Sequence, residues 1–167
     1  MILAFDIGGT RIRAAVWGGA GLHALGEVAT PTGDLRAFAD AVRGFVVRNV
    51  KGIAISIAGV VDPVTGTGTV ANIPAIDGLA LAPVLRQVTG LPVLVLNDAD
   101  CFALAEATQG AARGQETVFG VILGSGVGGG LVIGGKVVNG AGGYAGEWGH
   151  GPVIRGDFGF PCGCGQT

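Results

Sequence analysis

Two glycine-rich segments, Asp6–Ile–Gly–Gly–Thr10 and Gly124–Ser–Gly–Val–Gly–Gly–Gly–Leu131, have the composition of anion-holding turns. Glycine allows backbone turns at positive φ and lets bare N–H groups come close to a phosphate oxygen. One such turn is weak evidence, because the same residues close ordinary hairpins. Two of them, each between strand-like segments and far apart in the chain, suggest two lobes gripping one polyphosphate. In the first, the Gly8 and Gly9 amides and the Thr10 hydroxyl can hold phosphate oxygens while the Asp6 carboxylate orients hydrated Mg2+. In the second, Gly124, Ser125, Gly126, Gly128 and Gly129 are the candidates.

Two further groups of residues can do chemistry. Asn97–Asp98 falls where a strand gives way to a helix, a place where sheet ends commonly open into a cleft. Phosphoryl transfer needs a carboxylate that accepts the proton of an attacking hydroxyl, with neutral amides beside it. Asp98 would also serve as an N-cap or first-turn helix residue. Asp100 is expected to point into solvent. Glu147 and His150 are three apart, and Cys162 and Cys164 follow in the same glycine-rich stretch. Cysteine and histidine so close together suggest a structural Zn2+ site, but His150, Cys162 and Cys164 are three ligands where a closed site needs four.

The elements that position these residues can be read from the pattern. Ile2–Phe5, Ile12–Trp17 and Leu22–Ala29 read as three strands, so the Asp6–Thr10 segment sits at a hairpin tip with its amides free. Apolar residues recur with helical spacing from Asp34 to Asn49. Gly52–Ile57 is a strand, Ala58–Pro74 a long loop, Leu79–Val88 a short helix stopped by Gly90 and Pro92, and Val93–Leu96 a strand. A helix then runs from Asp98 to about Ala112. Beyond it lie the glycine-punctuated strands Val118–Leu123, Gly130–Ile133 and Lys136–Val138. This order gives an α/β fold with a mixed sheet, divided into an N-terminal lobe (residues 1–112) and the first part of a second lobe (residues 113–167).

The composition excludes several classes of function. A formal charge of −2 argues against a nucleic-acid surface. No segment has the layout of a secretory signal, and no apolar run approaches the roughly 18 residues needed to span a bilayer. An odd number of cysteines, one pair spaced Cys–Gly–Cys, suits a reducing cytoplasm rather than a disulfide framework. The chain is 49% hydrophobic and only 13% charged, where soluble domains carry about 25% charged residues. Some of this apolar surface is expected to meet a partner or a continuation of the chain.

Taken together, Phe5–Asp–Ile–Gly–Gly–Thr10, Asn97–Asp98, Leu123–Gly–Ser–Gly–Val–Gly–Gly–Gly130, Ala145–Gly–Glu–Trp–Gly–His150 and Cys162–Gly–Cys–Gly165 resemble the ROK family of bacterial sugar kinases and sugar-responsive repressors. The resemblance runs in the family's order over nearly the whole chain. It implies an actin/hexokinase-like (ribonuclease H-like) ATPase fold with a sugar cleft between lobes. It also implies ATP as phosphoryl donor and Asp98 as the base that activates a sugar 6-hydroxyl. Gly59, Asn72, Asn97, Asp98, Glu147 and His150 are implied as sugar contacts, with His150 also holding zinc. Ala71–Pro74 and Asn97–Glu106 are most similar to family members that phosphorylate N-acetylglucosamine, while the His150-to-Cys162 spacing is closer to glucokinases.

Family repressors carry a winged helix ahead of the sugar domain. A glycine turn starting at Asp6, and the presence of Asp98, favour a kinase over a regulator or a non-catalytic sugar-binding fragment. Family members are longer, and their zinc motif continues to a third cysteine. The chain is therefore expected to be truncated, with an incomplete second lobe and little kinase activity by itself. The resemblance also implies a possible homodimer.

Overall fold

The structure, a computed structural model, describes residues 1–19, 21–124 and 126–150. Its first layer is a five-stranded sheet. Strands β1 (Ile2–Ile7), β2 (Arg11–Gly18) and β3 (Gly21–Ala29) form an antiparallel meander, and β4 (Gly52–Ile57) and β7 (Val93–Asn97) add in parallel, giving the order β3-β2-β1-β4-β7. Between β4 and β7 lie a small hairpin, β5 (Val60–Val61) and β6 (Gly68–Thr69), and a helix, α2 (Leu81–Thr89).

Alternation along the strands sends large side chains to one face. Leu3, Phe5 and Ile7 of β1 and Ile53, Ile55 and Ile57 of β4 are buried there. They form one core with Phe38 and Val42 of α1 (Leu35–Arg43) and Leu81 and Leu85 of α2. Helix α1 begins where the Asp34 side chain accepts the Arg36 and Ala37 N–H groups. Its apolar spacing continues to Asn49 but the helix stops at Arg43. Phe45 and Val46 still pack on the core from a tightened turn, in which their N–H groups reach Val42 and Arg43 carbonyls. The pattern reported burial correctly and overstated helix length.

The stretch 58–74, expected as a loop, contains the β5–β6 hairpin. Its turn is closed by Asp62, whose carboxylate accepts the Val64 and Thr65 N–H groups.

The second layer is a three-stranded antiparallel sheet, β10-β9-β8, from β8 (Thr117–Leu123), β9 (Val127–Ile133) and β10 (Lys136–Val137). Helix α3 (Asp98–Thr108) lies against it, and Ala103, Val118 and Val132 form a small separate core with Leu104, Ala107 and Val137. By packing, α3 therefore groups with the second sheet, and the change of core falls near Asn97. Close approach explains this grouping. A Cβ at Gly120 would lie 2.9 Å from the Ala103 Cβ, and one at Gly130 would lie 2.5 Å from the Ala99 carbonyl oxygen and 2.9 Å from the Ala103 Cβ. Only glycine lets α3 sit this close to the strands.

Candidate active site

The junction of β7 and α3 is built by Asn97. Its Oδ1 caps the helix, accepting the Ala99 N–H at 2.8 Å and the Asp100 N–H at 3.0 Å. Its Nδ2 donates to the Gly59 carbonyl at 2.9 Å, which ties the helix start to the loop after β4. Asn97 is buried, so most of its hydrogen-bonding capacity holds the site together. Asp98 follows as the first helical residue, half-buried, with Oδ1 accepting the Ala99 N–H at 2.9 Å. Burial raises the Asp98 pKa above the usual carboxylate value, the Ala99 hydrogen bond works against this, and the Asp6 charge adds to the rise. A carboxylate shifted in this direction is a stronger proton acceptor when ionised.

A cleft of about 410 Å³ opens at this point. Gly59, Asn72, Asn97, Asp98 and Glu147 line it together with Gly124, Gly126 and Gly128. Five of the six residues expected to contact sugar are thus brought together with three of those expected to contact phosphate. The sixth, His150, closes a 3-10 turn at Trp148–His150, and its side chain lies outside what the structure describes. Ser125, Cys162 and Cys164 also lie outside the described residues. Among the described residues no cluster of His, Cys, Asp and Glu could hold a metal ion.

The two glycine turns depart from expectation in their details. The Gly8 N–H is not free: it donates to the Arg11 carbonyl at 3.0 Å and closes the β1–β2 hairpin. That leaves Gly9 and Thr10 as the candidate anion donors at this tip. Gly9 packs on the sugar-side loop, since a Cβ there would lie 2.8 Å from the Asn72 Cβ. In the second turn the Gly124 N–H is likewise used, donating to Gly126 at 2.9 Å. A Cβ at Gly8, Gly124 or Gly126 would meet nothing within 4 Å, so both tips face space that a phosphate could fill. Gly128 and Gly129 are strand residues of β9 rather than tip residues. A Cβ at Gly129 would lie 2.8 Å from the Trp148 Nε1 and 2.9 Å from the Gly120 carbonyl oxygen, so this glycine is required by packing.

Three features were not anticipated. Asp100, expected in solvent, is buried with 9% of its surface exposed. Its pKa is pushed up to about 6, by burial first and then by the charges of Glu147 and Asp98. Its position three residues after the Asn97 cap was the available signal. Arg13 reaches the Asp6 carboxylate at 3.2 Å and Glu27 at 3.3 Å, and Arg11 also pairs with Glu27. The antiparallel register sets Arg13 opposite Asp6, so alternation along β2 could have found it. Trp148 donates from Nε1 to the Gly128 carbonyl at 3.0 Å.

No helix among the described residues is long and apolar enough to cross a membrane. The ROK family model matches residues 2–167. An N-acetyl-D-glucosamine kinase of Salmonella heidelberg is 39% identical over 181 residues, an alignment covering 99% of this chain and 60% of that protein. The ROK hexokinase from Thermus thermophilus superimposes with a TM-score of 0.82 at 34% identity, over 99% of this chain and 57% of the other. A ROK family glucokinase from Streptomyces griseus, solved with glucose and AMPPNP, gives a TM-score of 0.83 at 36% identity, over 99% and 54%. The chain thus spans little more than half the length of the relatives it matches. Its α/β architecture is the actin-like ATPase fold of those sugar kinases. With the family model matched along nearly its whole length, the chain belongs to the ROK family.

Proposed function

We propose that this chain carries the sugar site and both phosphate turns of an ATP-dependent sugar kinase acting on the 6-hydroxyl of a hexose or N-acetylhexosamine. The observation that carries the reading is Asp98, half-buried at the start of α3, in one cleft with Asn72, Glu147 and the Gly124–Gly126 tip. Asn72 and Glu147 orient the sugar hydroxyls. Asn97 spends its Oδ1 on the helix cap and keeps one N–H of Nδ2 for the sugar. With Oδ1 of Asp98 engaged by the Ala99 N–H, Oδ2 takes the proton of the 6-hydroxyl as that oxygen attacks. ATP supplies the phosphoryl group when bound, and Mg2+ neutralises its charge. The open glycine tips fit phosphate oxygens, and Asp6 would hold the hydrated Mg2+ once released from Arg13.

N-acetylglucosamine is the favoured substrate, supported by the named activity of the Salmonella relative; glucose is the alternative, supported by the Streptomyces neighbour. We keep the two-lobe division at residue 112 as a description of chain order, with α3 packed on the second lobe. A cytoplasmic location belongs to this reading and is supported by the cysteine usage. His150, Cys162 and Cys164 remain the proposed zinc ligands: Cys162→Ser is expected to lower zinc content, and equal metal in both proteins would count against the site.

The direct test is mass spectrometry of ATP-dependent phosphorylation across N-acetylglucosamine, glucose and N-acetylmannosamine. A product with a mass increase of one phosphoryl group identifies the sugar. Sugar binding with no product from any of them would reduce the chain to a binding unit.

A further inference from the structure

The turn that carries Glu147 lies flat on the strand that carries the second phosphate tip. Gly146 sits against the Gly129 carbonyl and Gly149 against the Val127 carbonyl, both too close for any side chain. Between them Trp148 covers Gly129, and its ring meets Phe119 edge-on with centroids 6.1 Å apart. Strand β10 pairs with Val132 and Ile133, and the Val138 N–H reaches the Leu131 carbonyl, so among the described residues no strand pairs with the first half of β9 on that side. The indole N–H takes the Gly128 carbonyl on that half at 3.0 Å. Gly128 lies two residues from Gly126 at the hairpin tip.

The opposite face of the same strand is held just as closely. Gly130 lies under Ala99 and Ala103 of α3, the helix that begins with Asp98. One short strand is therefore fixed on one side by the helix bearing the candidate base and on the other by the turn bearing a candidate sugar ligand. Its leading end is the hairpin that would cradle phosphate.

We infer that Trp148 is a positioning residue that couples sugar binding to nucleotide binding, through its ring on Gly129 and its hydrogen bond to Gly128. This rests on the kinase reading above. A hydroxyl drawn to Glu147 fixes the 146–148 turn, the indole transfers that constraint to β9, and the Gly124–Gly126 tip is held in its phosphate-accepting form. By reciprocity, nucleotide on the tip favours sugar at Glu147 to the same degree. Trp148 needs no contact with either ligand.

The test is calorimetric binding of N-acetylglucosamine, glucose and Mg·AMPPNP to the whole chain, each sugar and the nucleotide singly and then together. In the unsubstituted chain, saturating sugar is expected to tighten Mg·AMPPNP about fivefold or more. Trp148→Phe keeps an aromatic ring on Gly129 and loses only the N–H donor. It is expected to bind each ligand alone within about twofold of the parent while the tightening falls below about twofold. Phe119→Leu loosens the indole from its other side and is expected to reduce the tightening in part, so a poorly folded Trp148 variant does not end the test. Full tightening in both variants overturns the inference. If the unsubstituted chain binds both ligands without tightening, the inference alone falls and the kinase reading stands. Binding of only one of the two ligand types overturns the inference, and binding of neither overturns both.

Discussion

The two glycine-rich regions use the same residue to opposite ends. The Asp6–Thr10 turn is the tip of a hairpin backed by large buried side chains, Ile7 and Ile12 among them. Backbone and threonine bonds hold it: Gly8 to Arg11, Thr30 to Thr10, and the Thr30 hydroxyl to the Gly8 carbonyl at 2.7 Å. Of its two glycines, Gly8 faces open space and only Gly9 is a contact, against Asn72. In the second region only the tip at Gly124–Gly126 is open. Behind it Gly120, Gly129 and Gly130 are contact surfaces, where α3 and Trp148 press onto bare backbone. There the core is small and glycine substitutes for shape complementarity. The lesson is that a glycine-rich run identifies flexibility or close approach, and only the neighbours decide which.

The largest expected effect comes from the residue between the two regions. Asp98→Asn preserves shape and removes the proposed base, so whatever kcat the parent shows should fall by about 10² to 10⁴, with sugar affinity by calorimetry little changed. Turnover at the parental rate would remove Asp98 from the chemistry. Next come the glycines of the second region. Gly130→Ala forces α3 away from β9 and should cost about 1–3 kcal/mol in urea unfolding. Gly124→Ala meets open space, lies outside the positive-φ glycines, and should stay within about 0.5 kcal/mol of the parent while weakening Mg·AMPPNP. Equal destabilisation by the two substitutions would erase the distinction between tip and contact glycine.

Much of this arrangement was legible in the chain. An apolar strand run ending in Asn–Asp before a helical segment marks the junction where Asp98 lies, and Asn97 rather than Asp98 is the cap. Strands β1, β2 and β4 followed from alternation and apolar runs. The role of Gly128 to Gly130 was not legible, since no local pattern separates a phosphate-facing glycine from one under a helix. Asp100 was misplaced for a related reason. Helix α3 buries alanines and contacts both sheets, Cys101 reaching Ser56 of β4, so it has no single apolar stripe from which a solvent face could be inferred. The end of α1 was overstated because Phe45 and Val46 keep helical spacing after the helix has turned into Gly44.

Asp100 gives the finest test of how tightly the second region is packed. Its carboxyl pKa lies near 6 in the folded chain, above the ordinary value near 3.9 of an unfolded aspartate. Between about pH 4 and 6 the folded state therefore holds a proton that the unfolded state has released, and stability falls as pH rises through this window. Above it the loss is complete, because the ionised group sits buried beside Glu147 and Asp98. Asp100→Asn removes that cost while keeping the shape. The variant should be more stable than the parent at pH 7.5 by on the order of 1 kcal/mol, the full shift being reduced by residual solvent screening. The difference should close below about pH 4, where both states of the parent are protonated. Urea midpoints for the two proteins across this range would show it. A difference that is constant with pH would mean that packing at the Asn97 cap, rather than buried charge, sets the energetics where α3 meets the turn of Glu147.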